Sequence, residues 1–265
     1  MELIISPTTN LNGEIIAPPS KSYSHRAFIA ASLADGISII KNPLTSGDVG
    51  VTLRILRLLG VKILKQNKNS FLIEKSEKSF KSIEEIIDCK NSGTSIRIFS
   101  ALSLWIQGGL SLTGEFLKRK RPILHLLEAL KYLGGDYNIA GDVLQIKRNK
   151  KLCSPVKIQG DISSQFITAL LIISPLLKCK NRKNIEIKIT TPLVSYPYIK
   201  ITLDVLNSFG VNIQEILNEQ KKGKYIITCE QQYRPQIYEI PGDFSSAAFI
   251  IGATVLSPKD SKVII

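Results

Sequence analysis

The sequence predicts a mixed α/β (α+β) fold in which buried helices lie inside and short strands lie outside. Two observations carry this prediction. A helix that ends in glycine and leads into a short strand occurs three times at nearly equal separations. Three other predicted helices are apolar on almost every side, and helices of this kind are buried rather than laid on a surface. The strands would then have to wrap around the helices.

The repeated junction is defined by its spacing. Each copy carries apolar residues at helical spacing, then a glycine, then a short alternating run that predicts a strand. The copies are residues 53–63, 126–137 and 201–213, with glycines at Gly60, Gly134 and Gly210. Glycine after the last turn supplies the left-handed residue that ends a helix. A near-constant period of this length indicates a duplicated supersecondary unit.

The three apolar helices alternate with these junctions and each begins with serine. They are "SHRAFIAASLA", "SGTSIRIFSALSLWI" and "SSQFITALLIISPLL". Serine there is an ordinary N-cap, but a helix N-terminus also presents free N–H groups and a positive dipole end that bind anions. For a single helix both interpretations stay open. If the units are related by rotation, the N-termini converge on one basin, to which Lys21, Arg26 and Arg121 would add full charges.

A fourth copy begins near the end of the sequence. "GDFSSAAFIIGATVL" (242–256) echoes "GDISSQFITALLI" (160–172), and the sequence then ends in "SKVII". We expect three complete units and an incomplete fourth, in a chain that lacks its second half. The incomplete unit should expose apolar helix surface.

Composition and charge restrict the class of protein. The net charge of +13 fits nucleic acid, an acidic membrane or anionic small molecules as partners. The sequence shows no aromatic-basic nucleic-acid motif, no apolar run of the roughly 18–20 residues that span a bilayer, and no secretory signal. We expect a cytoplasmic protein without nucleic-acid or membrane partners. Four scattered cysteines and two histidines lack zinc spacing, so we expect no metal site and reduced thiols.

Three local features near these helices bear on the site. Gly93 in "NSGTSIR" is either a flexible residue before a helix or a glycine that lets a ligand approach the backbone. Arg97 lies inside that helix, where we expect it to pair with a carboxylate. The "KRKRP" stretch is a basic surface loop or a nuclear-type patch, and Pro122 favours a fixed loop–helix junction.

Five segments, in order, resemble 5-enolpyruvylshikimate-3-phosphate synthases, the enolpyruvyl transferases of the shikimate pathway. They are "PSKSYSHRAFIAASLADG", "NSGTSIR", "LTGEFLKRKRPILHLLEAL", "GDISSQFITALLIISPL" and "LVSYPYIKITLDVLNSFGV". The resemblance covers the chain from Met1 to Ile265. The Lys-Ser-x-Ser-x-Arg and Ser-Ser-Gln-Phe motifs are specific for this family. The sister transferases that act on UDP-N-acetylglucosamine share the fold but lack this pair, so they rank behind it.

The resemblance implies an inside-out α/β barrel of βαβαββ units, with parallel helices inside and sheets outside. It implies two domains of three units each. Residues 15–239 would form the first domain, nearly complete, and residues 1–14 and 240–265 a fragment of the second, truncated one.

The resemblance also implies a reaction and a set of residues. The family transfers the enolpyruvyl group of phosphoenolpyruvate to the 5-hydroxyl of shikimate 3-phosphate and releases phosphate, with no metal or organic cofactor. Shikimate 3-phosphate would contact Lys21, Ser22, Arg26, Ser163, Ser164, Gln165, Ser195 and Tyr198. Phosphoenolpyruvate would contact Lys21, Gly93, Arg121 and Gln165, and Lys21, Arg121 and Gln165 would serve catalysis.

The sequence departs from the family in two ways. Ile98 stands where many bacterial members have proline, and Asp243 and Glu239 match none of the family's acidic proton-transfer residues. In the family those acidic residues come from the second half, so we expect this chain to bind shikimate 3-phosphate with little turnover by itself. We also expect a monomer. The alternatives are a non-catalytic shikimate-3-phosphate-binding module and a basic nucleic-acid binder.

Overall fold

A computed structural model describes residues 10–75, 80–150, 153–258 and 260–265. The helices are α1 (Lys21–Leu33), α2 (Gly47–Leu58), α3 (Gly93–Leu102), α4 (Glu115–Lys118), α5 (Leu124–Lys131), α6 (Ser164–Ile173), α7 (Tyr196–Ser208) and α8 (Phe244–Leu256). The strands are β1 (Asn12–Glu14), β2 (Ile37–Lys41), β3 (Val61–Asn67), β4 (Ser70–Lys75), β5 (Ile87–Asp88), β6 (Leu110–Thr113), β7 (Gly135–Ala140), β8 (Val143–Arg148), β9 (Val156–Ile158), β10 (Asn184–Ile189), β11 (Ile213–Leu217), β12 (Gly223–Thr228), β13 (Ile237–Glu239) and β14 (Lys262–Ile264).

Three four-stranded sheets share one strand order, which confirms the predicted repeat. The orders are β13-β2-β4-β3, β5-β6-β8-β7 and β9-β10-β12-β11. In each sheet the first two strands pair in parallel and the others in antiparallel fashion. The third unit therefore reads β-α-β-α-β-β along the chain, and the second unit differs only by a short additional helix, α4, before α5. The first unit takes its opening strand, β13, from residues far along the chain.

The predicted helix–strand junctions lie where the sequence places them. Gly60, Gly134 and Gly210 follow α2, α5 and α7 with φ of 90°, 84° and 81°. A side chain is disfavoured in this left-handed region, so the recurrence of glycine is explained by the backbone. Each glycine ends an amphipathic helix and directs the chain into the next strand.

The three apolar helices are buried, as predicted. Phe28 of α1, Phe99 of α3 and Phe166 of α6 have no exposed surface. Helix α3 packs on α6, and α6 and α1 both pack on α7. The predicted third-unit helix ends earlier than its apolar run suggests, because a 3-10 turn at Ser174–Leu176 replaces its last turn. Strand residues that alternate inward, such as Ile185 and Ile187 of β10, cover the helices from outside.

Helix α8 resembles α6 in sequence but differs in its burial. Phe244, Phe249 and Leu256 are 81%, 82% and 89% exposed, which agrees with the expected apolar surface on the incomplete unit. Strands β1 and β14 form a separate two-stranded parallel sheet. The division into domains at residues 15–239 stays a prediction, and the part of it that concerns residues 1–9 lies outside the described residues. Within the described ranges, none of the helices could cross a bilayer.

The expectation of reduced cysteines is wrong for one pair. Cys153 and Cys179 form a disulfide with their Cα atoms 5.6 Å apart, whereas Cys89 and Cys229 are free thiols. The pairing follows from tertiary contacts. The Asn181 side chain accepts from the N–H of Cys153 at 3.0 Å and donates to its carbonyl at 2.9 Å, which draws two loops together.

Candidate functional site

The N-terminal ends of α1, α3, α6 and α7 meet at a cavity of about 400 Å³. Every residue that the sequence assigned to the site lines it: Lys21, Ser22, Arg26, Gly93, Arg121, Ser163, Ser164, Gln165, Ser195 and Tyr198. The prediction that several helix N-termini share one basin is therefore confirmed. The cavity also has lining residues that sequence reasoning missed, namely His25, Asp48, Asn91, Thr94, Ile162 and Val194.

Helix α1 begins at Lys21, which puts Lys21 and Ser22 in its first turn. The N-cap residue, Ser20, makes no side-chain capping bond. Instead, Asp243 accepts the Lys21 N–H through Oδ2 at 3.2 Å and the Ser246 N–H through Oδ1 at 3.0 Å. One carboxylate thus caps two helices, and the segment before α8 fixes where α1 begins.

Arg26 joins three helices beneath the cavity. It is 4% exposed, and its Nε donates to Thr202 Oγ1 at 2.7 Å. Its Nη2 donates to Thr168 Oγ1 at 3.0 Å and to the Tyr198 carbonyl at 3.2 Å, and its Nη1 donates to the Ser22 carbonyl at 2.9 Å. Burial lowers the pKa of Arg26 to about 10, so the group stays cationic at neutral pH. A guanidinium has five N–H donors, so one remains for a ligand.

Among the described residues Arg97 pairs with no carboxylate, contrary to the expectation from the sequence. Its guanidinium donates to Gln165 Oε1 and, at 2.7 Å, to the Pro122 carbonyl. It lies 4.8 Å and 5.0 Å from the ring centroids of Phe116 and Phe166, both within cation–π range. Burial, followed by repulsion from the Arg121 guanidinium, lowers the pKa of Arg97 to about 10. Arg97 therefore orients two cavity elements, a glutamine side chain and the loop before α5.

Gln165 is held at both ends of its amide. Oε1 accepts from Arg97, and Nε2 donates to Thr94 Oγ1 at 3.1 Å. Its backbone N–H donates to the N-cap hydroxyl of Ser163 at 3.3 Å. These bonds connect α6 to α3 and fix the amide between two helix N-termini.

The packing around Gly93 is tight. A Cβ at this position would lie 3.0 Å from the Phe116 ring and 3.3 Å from Arg97 Nη1. Its φ is not in the left-handed region, so the conformational freedom of glycine is not the reason. Protein side chains therefore lie close to Gly93, and the approach of a ligand to its backbone stays a prediction.

The basic "KRKRP" stretch lies at the cavity rim rather than forming one uniform patch. Arg121 is exposed, lines the cavity and stacks 4.8 Å from the Phe116 centroid. Arg119 and Lys118 turn instead to Glu115, at 3.7 Å and 3.5 Å. Only the last cation of the run therefore reaches the cavity.

Ser195 and Tyr198 approach from the N-terminus of α7. Ser195 is its N-cap and adopts the left-handed conformation with φ 53°, which is unusual for a non-glycine residue and is concentrated at functional sites. The Tyr198 hydroxyl lies 3.4 Å from Ser245 Oγ in α8.

His25 extends the cavity wall into the core. Its Nδ1 lies 2.8 Å from Thr52 Oγ1, which lies 2.9 Å from Ser95 Oγ, and Ser95 contacts the Ser92 hydroxyl at 2.7 Å. Burial, with the charges of Arg26 and Lys21 adding to it, lowers the pKa of His25 to about 3. A neutral imidazole therefore ties α1 and α2 to the N-cap of α3.

The cavity is strongly electropositive. Lys21 has a partner, Asp48, at 3.5 Å, but among the described residues neither Arg26, Arg97 nor Arg121 pairs with a carboxylate. Four helix N-termini add partial positive charge. Arginine forks and N-terminal N–H groups suit phosphate and carboxylate, so the arrangement is built for an anion that carries such groups. The described residues contain no cluster of three His, Cys, Asp or Glu suited to a metal ion.

Comparisons with known proteins agree with this geometry. The sequence model of the family EPSP synthase (3-phosphoshikimate 1-carboxyvinyltransferase) matches residues 5–265. The 3-phosphoshikimate 1-carboxyvinyltransferase of Methanococcus vannielii is 43% identical over 266 residues, which cover 98% of this chain and 60% of that protein. The Methanocaldococcus jannaschii protein of the same name is 42% identical over 260 residues, 96% of this chain and 58% of that one.

A solved structure shares the fold. The EPSP synthase of Acinetobacter baumannii superposes with a TM-score of 0.79 at 21% identity, covering 98% of this chain and 56% of that chain. The chain thus spans about 60% of the length of the curated relatives it matches.

Proposed function

The chain belongs to the EPSP synthase family, and from that premise we propose that its cavity binds shikimate 3-phosphate and phosphoenolpyruvate for enolpyruvyl transfer. The observation that carries the proposal is the convergence of all ten expected contact residues on one cavity. The reaction joins the enolpyruvyl group to the 5-hydroxyl of shikimate 3-phosphate by addition and elimination, and phosphate leaves. It serves the synthesis of chorismate and aromatic amino acids.

The charge of the cavity supports this pair of substrates. Each carries a phosphate and a carboxylate, so they repel one another in water. Fixed cations and N–H dipoles that surround both would offset that repulsion before the reacting atoms meet. Arg26 and Arg121, which both line the cavity, supply two of these charges.

We assign the shikimate phosphate and carboxylate to the α1, α6 and α7 ends. The contacts would come from Lys21, Ser22, Arg26, Ser163, Ser164, Gln165, Ser195 and Tyr198. Phosphoenolpyruvate would lie toward α3 and the loop before α5, against Lys21, Gly93, Arg121 and Gln165. Gln165 would touch both substrates, because Arg97 and Thr94 hold its amide between these two regions.

Turnover needs proton-transfer groups that this cavity does not display. The carboxylate among the described lining residues, Asp48, already faces Lys21 at 3.5 Å, and general acid–base catalysis requires a group that reaches the reacting atom. We therefore expect binding of shikimate 3-phosphate with little turnover by this chain alone. This feature also favours the second candidate, a binding module without catalysis.

Calorimetry and a phosphate-release assay test the proposal. We expect saturable binding of shikimate 3-phosphate, and phosphate release only when the remaining part of a relative is supplied. Arg121→Ala should weaken phosphoenolpyruvate binding, whereas Lys188→Ala, which removes an equally exposed charge from β10, should not.

Four outcomes would contradict the proposal. Absence of shikimate 3-phosphate binding would refute the site, and binding of UDP-N-acetylglucosamine instead would assign the chain to the sister activity. Salt-dependent DNA binding without shikimate-phosphate binding would point to a nucleic-acid protein. Rapid turnover by the chain alone would refute the need for additional groups.

We further propose that the protein is monomeric and cytoplasmic. Both substrates are small and diffusible, and every expected contact comes from a single copy of the chain. Light scattering at several protein concentrations checks the monomer, and a molar mass that doubles with concentration would contradict it.

A further inference from the structure

The geometry points to a thiol–disulfide exchange site formed by Cys153, Cys179 and Cys229 in the third unit. It lies beyond the C-terminal end of α6, whose N-terminus lines the substrate cavity. The site has no part in the proposed transfer reaction, and its chemistry is that of a dithiol–disulfide centre with a third, resolving sulfur.

The third sulfur lies next to the disulfide. Cys153 and Cys179 are bonded, and the backbone N–H of Cys179 lies close to the Cys229 sulfur. Cys179 and Cys229 line one open cavity of about 490 Å³. The N–H of Cys229 donates to the Lys183 carbonyl at 2.8 Å, which fixes the end of β12 against the loop that carries Cys179.

An arginine lies beside the sulfurs at both ends of the exchange. Nη2 of Arg148 donates to Cys153 Sγ at 3.4 Å and to the Lys178 carbonyl at 3.1 Å, while its Nε donates to the Leu133 carbonyl. The same guanidinium is close enough to Cys229 to favour its thiolate. A cation held in this way stabilises a thiolate, which is both the nucleophile and the leaving group of exchange.

The step balances without an outside oxidant or reductant. The Cys229 thiolate attacks the Cys179 sulfur, so a Cys179–Cys229 bond forms as the Cys153–Cys179 bond breaks. Cys153 leaves as a thiolate beside Arg148. Cys229 gives up one proton and Cys153 takes up one, and the number of disulfides stays constant.

The surroundings of Cys229 set the direction of the pH dependence. Burial and the Glu230 carboxylate raise its pKa, whereas Arg148, the Cys179 N–H and Arg182 act in the opposite sense, and the net shift is upward. The thiolate fraction therefore grows as pH rises through the alkaline range, and exchange should accelerate with it. Cys89, by contrast, is a buried free thiol between β5 and α3 and serves as an internal control.

Disulfide mapping tests the proposal on the full chain. The oxidised protein is incubated under native conditions at pH 7, 8 and 9, quenched with acid, alkylated, digested and analysed by mass spectrometry. We expect Cys179–Cys229 peptides with alkylated Cys153 to accumulate faster at higher pH. Arg148→Met should slow this about three- to tenfold through the leaving-group effect, while Lys147→Met, at the exposed neighbouring position, should not.

If the equilibrium favours the Cys153–Cys179 bond, a second variant still tests the proposal. In Cys153→Ser, mild oxidation should link Cys179 to Cys229 while Cys89 stays free. Failure to form this bond would overturn the proposal. Four free thiols in the wild-type chain after the same oxidation would also overturn it. So would disulfides to Cys89 that form as fast as the Cys179–Cys229 bond, because disulfides to this buried thiol indicate scrambling in the unfolded chain.

Discussion

Asp243 accepts a hydrogen bond from the backbone N–H of Lys21 at 3.2 Å, across 222 residues of sequence. The same carboxylate caps α8 through Ser246 at 3.0 Å. The first turn of α1 carries Lys21 and Ser22, which we propose to contact substrate. The position of that turn thus depends on a residue near the other end of the chain.

Asp243→Ala should lower the free energy of unfolding by about 1–2 kcal/mol, because an N-cap acceptor that serves two helix ends is lost. Urea titration with circular dichroism measures this change. Asp243→Asn keeps one side-chain oxygen and should lose less. Equal stability of wild type and Asp243→Ala would show that the two bonds contribute nothing to the fold.

Arg97→Lys should weaken phosphoenolpyruvate binding by roughly 1.5–3 kcal/mol, the range for a hydrogen bond to a charged group. Lysine keeps the charge but cannot donate as a planar fork to Gln165 Oε1 and the Pro122 carbonyl together. Calorimetry of the variant measures the loss.

Arg57→Lys is the matched control, because Arg57 lies in the last turn of α2 and does not line the cavity. If both variants bind phosphoenolpyruvate like the wild type, Arg97 does not position the site.

The helix junctions could be predicted from sequence because their cause is local. Gly210 ends α7 with φ 81°, and a left-handed residue after an amphipathic helix needs no distant partner. The partners of Arg97 and Cys153 could not be predicted, since Gln165 and Cys179 meet them through packing of separate segments. Spacing in the sequence says nothing about such contacts.

The candidate site divides in the same way. Motif positions located Lys21, Gly93 and Ser164, and the structure brings them to one cavity. His25 and Thr94 lie inside the quoted motif segments and were missed, because their roles depend on side chains of other helices, Thr52 and Gln165. The signal that could have identified both residues is their position within a motif at a helix N-terminus.

Gly93→Ala should lower the free energy of unfolding by about 1–3 kcal/mol, the usual cost of overpacking. The new Cβ would lie 3.0 Å from the Phe116 ring, and displacement of that ring would also move Arg97 and Arg121, which both stack on it. Phosphoenolpyruvate binding should therefore weaken more than shikimate-3-phosphate binding.

Gly252→Ala is the control for this change, because a Cβ there meets nothing within 4 Å. It should retain or raise stability, since alanine is the better helix former. A Gly93→Ala protein that matches the wild type in both stability and affinity would show that the Phe116 ring can move aside without loss of stability or binding.

The buried imidazole of His25 makes stability depend on pH. Its pKa is lowered from the ordinary value near 6.5 to about 3 in the folded chain. Between these two values, His25 is protonated in the unfolded chain but stays neutral in the folded chain. The contribution of neutral His25 is complete above the higher value. It is lost as pH falls from about 6.5 towards 3, by up to about 1.4 kcal/mol per pH unit.

Comparison with His25→Asn isolates this effect from the titrating carboxylates. Asparagine can still bond the Thr52 hydroxyl, which lies 2.8 Å from His25 Nδ1, but it does not titrate. Urea titrations at pH 7, 6 and 5 should show wild-type stability falling more steeply than that of the variant. Parallel slopes would mean that His25 is protonated in the folded chain as readily as in the unfolded one, and that the buried hydroxyl chain does not hold it neutral.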